Sequence, residues 1–218
     1  MISRNISRYL YKSKRIQYII LIALLCFTFI SIAQAANWPG WRGPSRNSIS
    51  TEVGLNLVWK AKSPKILWKA SVGTGFSSFA VADGRVYTIG NRDNTDTVYC
   101  LNAKSGKEIW KYSYPCQLDP KAFEGGPLST PTVDENRVYT ISKFGDCFCF
   151  NALNGKIIWQ KKFDPPTPTA ADYHVWWGFA GSIVVAGDKL ILPVGTAGMA
   201  LNKLTGKVIW DNGPGYSG

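Results

Sequence analysis

LNAKSGKEIW (residues 101–110), FNALNGKIIW (150–159) and LNKLTGKVIW (201–210) are one ten-residue pattern met three times. An Asn, a Gly-Lys pair, an Ile and a closing Trp fall at the same offsets in each copy, and the Trp residues stand 49 and 51 residues apart. A period of that length marks solenoids, propellers and repeat arrays. Each copy places a Gly where two β-prone runs meet, so the Gly can take a positive φ in a hairpin turn. The Ile and Trp that follow are neighbours on one strand. They are therefore expected on opposite faces, one into the sheet stack and one across it.

Outward from these copies, apolar runs bounded by turn residues predict four strands per unit. In the first unit they fall at 76–82, 85–90, 97–103 and 108–114, with Asp83-Gly84 as a turn and 91–96 as a polar loop. In the second they fall at 128–133, 137–142, 147–152 and 157–163, and VYTI recurs at 86–89 and 138–141. The third has 183–186, 189–194, 198–202 and 208–210. The pattern predicts an all-β fold, a β-propeller of four-stranded antiparallel blades at 73–114, 126–163 and 178–210. A parallel β-helix is the other repeating arrangement, but its coil is roughly half as long. Residues 66–69 (ILWK) match only the closing half of a repeat, which predicts a closing strand at 66–72. Residues 213–218 line up with 73–78 as the start of a fourth blade. The expectation is three complete blades of an incomplete ring, one that closes by pairing N-terminal and C-terminal strands so that no sheet edge is left free.

Residues 1–35 read as a secretory signal. Arg4, Arg8, Lys12, Lys14 and Arg15 precede an apolar run at 16–32, and Ala33-Gln34-Ala35 supplies the small-x-small cleavage pattern. An uncleaved membrane anchor is the alternative, and the membrane is expected as a partner only in that case. Cys26 follows Leu25 rather than a small residue, which argues against a lipid anchor. Without the five basic residues of this segment the formal charge of +11 falls to +6. That is ordinary for solubility and is not a nucleic-acid footprint. Cys100, Cys116, Cys147 and Cys149 read as small core residues, since Cys147-x-Cys149 has no second ligand pair and the chain has one His. From residue 36 to 65 an arm rich in Pro, Gly, Ser and aromatics is expected to run extended, with Trp38 and Trp41 docking elsewhere.

The strand ending in x-Leu-Asn-Ala, followed by Gly-Lys-x-x-Trp, resembles the tryptophan-docking repeat of the PQQ-like (quinoprotein-type) β-propellers. Trp38-Pro39-Gly40-Trp41-Arg42-Gly43-Pro44 is similar to the opening of secreted bacterial proteins of that group. The resemblance implies that Trp68, Trp110, Trp159 and Trp210 pack on the neighbouring blade, with Gly106, Gly155 and Gly206 in the turns. It also implies an exported protein, periplasmic or extracellular. Some relatives are dehydrogenases that oxidise alcohols or sugars with pyrroloquinoline quinone (PQQ) and Ca²⁺, using oxygen ligands, a carboxylate base and often adjacent cysteines. No such set can be placed here, so no catalytic residue and no metal site are assigned. The leading expectation is a non-catalytic binding or scaffold module for protein or carbohydrate. The alternative is a quinoprotein dehydrogenase with its catalytic residues in further blades, the only case in which PQQ and Ca²⁺ are expected.

Ligand-face candidates come from the long loop between the second and third units, since loops that join blades cross the face where propellers bind. They are His174, Trp176, Trp177 and Asp172, set against the plainer reading of a loop packing its own aromatics on the disc. Asp119 and Glu124 read as solvated loop charges. Asn102, Asn151 and Asn202 recur once per blade and are expected to bond their own turns.

Overall fold

Side chains along 146–151 alternate between two buried environments. Phe148 and Phe150 join a cluster with Tyr87, Val98 and Trp110, while Cys147 and Cys149 join one with Ile183, Leu190 and Leu201. A strand buried on both faces needs a sheet on either side, and the computed structural model supplies them. It describes residues 36–54, 63–120, 123–164, 177–194 and 198–211.

Blade 1 consists of β1 (Ala80–Ala82), β2 (Arg85–Arg92), β3 (Thr95–Asn102) and β4 (Glu108–Pro115). Blade 2 consists of β5 (Thr132–Asp134), β6 (Arg137–Ile141), β7 (Asp146–Asn151) and β8 (Ile157–Lys162). Blade 3 consists of β9 (Val184–Ala186), β10 (Lys189–Leu192), β11 (Met199–Asn202) and β12 (Val208–Asp211). Each blade is a four-stranded meander in sequence order, and each of its ladders is antiparallel. β1 and β9 both lie against β5, so the first strands form the inner edge of a β-propeller. The parallel β-helix is excluded. Phe150 is fully buried between blades 1 and 2, and a buried Phe contributes about 1.5–3 kcal/mol.

Four details differ from the sequence reading. The region 91–96 is no loop, because β2 and β3 run on to a two-residue turn in which Asp93 and Asn94 take φ of 52° and 58°, the geometry of a tight hairpin. The first strand of each blade is cut to three residues. The Ile before each Trp does not enter the sheet stack: β4, β8 and β12 each carry a bulge there, as Cys100 pairs with Trp110 but Leu101 with Glu108. A bulge leaves its extra residue outside the ladder, and Ile109, Ile158 and Ile209 are exposed. The expected closing strand at 66–72 forms no strand, and Ile66 and Leu67 are exposed. Residues 1–35 and 213–218, the signal and fourth-blade segments of the sequence reading, lie outside the described residues.

The arm is not simply extended. It pairs with the inner edge and then folds through tight turns at 41–48, where Arg42, Gly43, Arg46 and Ser48 all have positive φ. Val81, Val133 and Val185, the middle residues of β1, β5 and β9, are each touched by it. Trp38 exchanges both backbone bonds with Val81, at 2.7 and 2.8 Å, and the Pro39 carbonyl accepts from the Val133 N–H at 2.7 Å. The Arg46 guanidinium donates to the Val185 carbonyl. Trp38 folds back over Gly43, where any Cβ would lie 2.8 Å from the indole. Trp41, by contrast, does not dock and is 58% exposed.

Candidate functional site

The repeat motif is spent on the joints between blades. The Trp110 Nε1 donates to the Ala152 carbonyl at 2.9 Å, and that carbonyl also accepts the Tyr87 hydroxyl at 3.3 Å. One blade further on, Trp159 Nε1 and the Tyr139 hydroxyl both donate to the Lys203 carbonyl, at 3.1 and 3.2 Å. Trp68 Nε1 makes the corresponding bond to the Ala103 carbonyl at 2.9 Å. Each indole lies on the glycine of the receiving turn: a Cβ on Gly106, Gly155 or Gly206 would stand 2.5, 2.7 or 2.8 Å from the ring of Trp68, Trp110 or Trp159. Trp210 remains 39% exposed.

The tyrosine half of this clamp was missed in the sequence, although VYTI repeated there. The ladder explains it. Tyr87, Cys100 and Trp110 stand in one cross-strand row, as do Tyr139, Cys149 and Trp159, and in blade 3 the row is Ile191, Ala200 and Trp210. A small residue at the centre of the row separates the two large ones. Cysteine is used there for its size: all four described cysteines are free and buried. Burial pushes the Cys100 thiol up to about 11 and the Cys149 thiol up to about 12.

Asn102 Oδ1 accepts from the Lys104 and Ser105 N–H groups at 3.0 and 2.9 Å, and Asn151 and Asn202 do the same in their turns. These three are turn residues.

On the face of the loops joining the blades, Trp177 packs on Phe123 with ring centroids 4.8 Å apart, and Phe123 on Phe76 at 5.1 Å. Trp177 and Phe76 stay 43% and 51% exposed. Asp119 is not a solvated charge, because its Oδ2 lies 2.6 Å from the buried Lys143 Nζ. That ammonium also stands 5.7 Å from the ring centroids of Phe123 and Phe144. Glu124 is exposed. His174, Trp176 and Asp172 lie outside the described residues.

Nearby, Asn94, Cys116, Phe144, Asp146 and Lys162 line a cavity of about 400 Å³. Asp146 is committed there, to Lys162 Nζ at 2.9 Å and to the Ser142 hydroxyl at 2.8 Å. The Cys116 thiol is raised, by burial first and by the Asp96 charge second, so it is held protonated. The arrangement offers rings, an ammonium and amides for recognition, and among the described residues no nucleophile stands there beside a free base. Among the described residues no three His, Cys, Asp or Glu gather as metal ligands. The oxygen donor set that a Ca²⁺-bound PQQ requires is not furnished by them.

A family model described as "Outer membrane protein assembly factor BamB" matches residues 54–213, which contain all three blades. The chain belongs to that family. A BamB relative, the outer membrane protein assembly factor BamB of Escherichia coli (strain K12), is 32% identical over 119 residues, or 50% of this chain and 29% of the relative. The match therefore spans less than a third of that BamB. Among solved structures, a europium-containing methanol dehydrogenase superposes with a TM-score of 0.60 at 17% identity, over 82% of this chain and 32% of the enzyme. The quinohemoprotein alcohol dehydrogenase from Comamonas testosteroni gives 0.60 at 19% identity, over 84% and 28%. These likenesses show the fold that the BamB-type chain shares with them, a PQQ-like β-propeller.

Proposed function

We propose that this chain is a non-catalytic scaffold module of an exported protein, which binds a protein partner in the assembly of outer-membrane proteins. The observation that carries the reading is the family match across 54–213. In support, the repeated residues lie at blade-to-blade joints, with Trp68, Trp110 and Trp159 on the seats Gly106, Gly155 and Gly206, and under this reading Trp210 is a plug of the same kind. The exposed row of Phe76 and Trp177 around Phe123 offers a protein an aromatic patch beside the Lys143–Asp119 pair. Under this reading His174, Trp176 and Asp172 extend the same face, and residues 1–35 direct export to the periplasm or beyond. A carbohydrate partner for the face, and a PQQ dehydrogenase completed by further blades, are the competing readings.

Two measurements separate them. Deleting the gene is expected to lower the amount of folded outer-membrane β-barrel protein, read by heat-modifiable gel mobility, and restoring it with Trp177→Ala to rescue incompletely. Unchanged levels on deletion would refute the assembly role. Full-length protein incubated with PQQ and Ca²⁺ is expected to give no dye-linked oxidation of alcohols or sugars above an apo control. Clear turnover would establish the dehydrogenase instead.

A further inference from the structure

A second cavity, of about 430 Å³, lies between the arm and the inner strands of blades 2 and 3. That is the size of a pocket for a small molecule. The arm lines it with Trp41, Arg42 and Arg46, and the blades with Thr132, Ser182 and Asp134. Trp41 presents a ring at 58% exposure that makes no ring contact or hydrogen bond of its side chain among the described residues. Arg42 is steadied by one bond, Nε to the Ser48 hydroxyl at 3.1 Å, and Arg46 by its bond to the Val185 carbonyl. Among the described residues neither has a carboxylate partner. Among the described lining residues the one carboxylate, Asp134, is held 2.6 Å from Lys203 Nζ, and its hydrogen bond raises the lysine's pKa, so it leaves the field of the two guanidinium groups in place.

These groups define a ligand. A guanidinium recognises a carboxylate through paired N–H donors. An exposed indole offers a flat apolar face, and sugar rings carry a matching one. The hydroxyls of the lining are half used: Ser182 Oγ accepts from the Thr130 N–H and keeps its own proton to donate, while Thr132 Oγ1 donates to the Ile183 carbonyl and keeps lone pairs to accept. We propose that this cavity binds a uronic acid, a pyranose ring bearing a carboxylate. Its carboxylate meets Arg42 and Arg46, its ring face lies on Trp41, and its hydroxyls meet Ser182 and Thr132. The site lies on the inner edge, apart from the loop face, and does not depend on the assembly reading.

Titration calorimetry of the full chain tests it, with D-glucuronate as probe. Saturable binding is expected at a dissociation constant of about 1 mM or below, with D-glucose (ring without carboxylate) and acetate (carboxylate without ring) each at least about tenfold weaker. Trp41→Ala and Arg42→Gln should each weaken glucuronate by about tenfold, and Trp177→Ala on the loop face should leave it unchanged. Saturation-transfer NMR on the unaltered chain needs no variant, and should show transfer concentrated on one face of the sugar ring. Tighter binding of a galacturonate trimer would place the natural source in an acidic polysaccharide, and equal affinity would place it in the free sugar acid. Absence of saturable binding, glucose or acetate binding as tightly as glucuronate, or loss of binding in Trp177→Ala alone would each overturn the proposal.

Discussion

At the scale of single residues, the most consequential polar group is Asp96. It is fully buried, accepts from Asn91 Nδ2 at 2.7 Å and lies 3.4 Å from the Tyr114 hydroxyl. Desolvation raises its pKa above the usual carboxylate value, and the bonds from Asn91, Cys116 and Tyr114 offset only part of that. The sign follows from proton binding: between the unfolded value of about 4 and the raised folded value, the native state holds the proton more tightly than the unfolded chain. Asp96 therefore stabilises most in acid, and its contribution falls as pH rises through that window. Asp96→Asn cannot ionise and keeps one oxygen for the Asn91 Nδ2 donor, while its amide nitrogen takes the place of the oxygen that faces the Tyr114 hydroxyl. Urea unfolding at mildly acidic and at neutral pH should show the variant gaining on the parent as pH rises, and parallel profiles would contradict this account. None of it was legible in the sequence, where Asn91 and Asp96 were the ends of a presumed loop. What hid it was the left-handed pair Asp93-Asn94, which lets β2 and β3 run two residues further and carries both polar groups inside.

Between elements, stability resides in the joint of Trp, Tyr carbonyl clamp and glycine seat. Gly155 has a φ of 71° and Gly84 one of 73°, so an alanine at either meets the same backbone penalty of roughly 1–2 kcal/mol. Around Gly84 nothing lies within 4 Å, whereas the Trp110 ring lies 2.7 Å from a Cβ at Gly155. Gly155→Ala should therefore destabilise by about 1–3 kcal/mol more than Gly84→Ala. It should also shift tryptophan emission towards that of a solvated indole, while Gly84→Ala should not. Equal losses for the two variants would mean that the seat does not hold the ring. This level was the most readable in advance: the recurring Asn and Gly announced the turn, and the resemblance to the tryptophan-docking repeat implied the part of Trp, while the glycine's part as a seat for the ring came only with the structure. The bulge that turns Ile109, Ile158 and Ile209 outward was not readable, because a two-residue period says which face a side chain takes only while the ladder stays in register.

For the molecule as a whole, the arm decides how the inner edge meets solvent. Val81 and Val133 give their N–H groups to arm carbonyls rather than to water. Deleting residues 36–48 should leave the blades' own ladders intact while the amides of Val81 and Val133 exchange about tenfold faster or more, measured by hydrogen exchange. Unchanged protection at both would show that the arm is an accessory to that edge. The joints carry a different lesson, one about descent. Each uses a tryptophan from one repeat and a glycine from the next, so every repeat is at once plug and socket. A tandem duplication in the gene that copies one unit of about 50 residues brings both halves of a working joint with it. A lineage can thus gain a blade in a single event, with no second mutation needed to fit it, and selection is left to act on the loops.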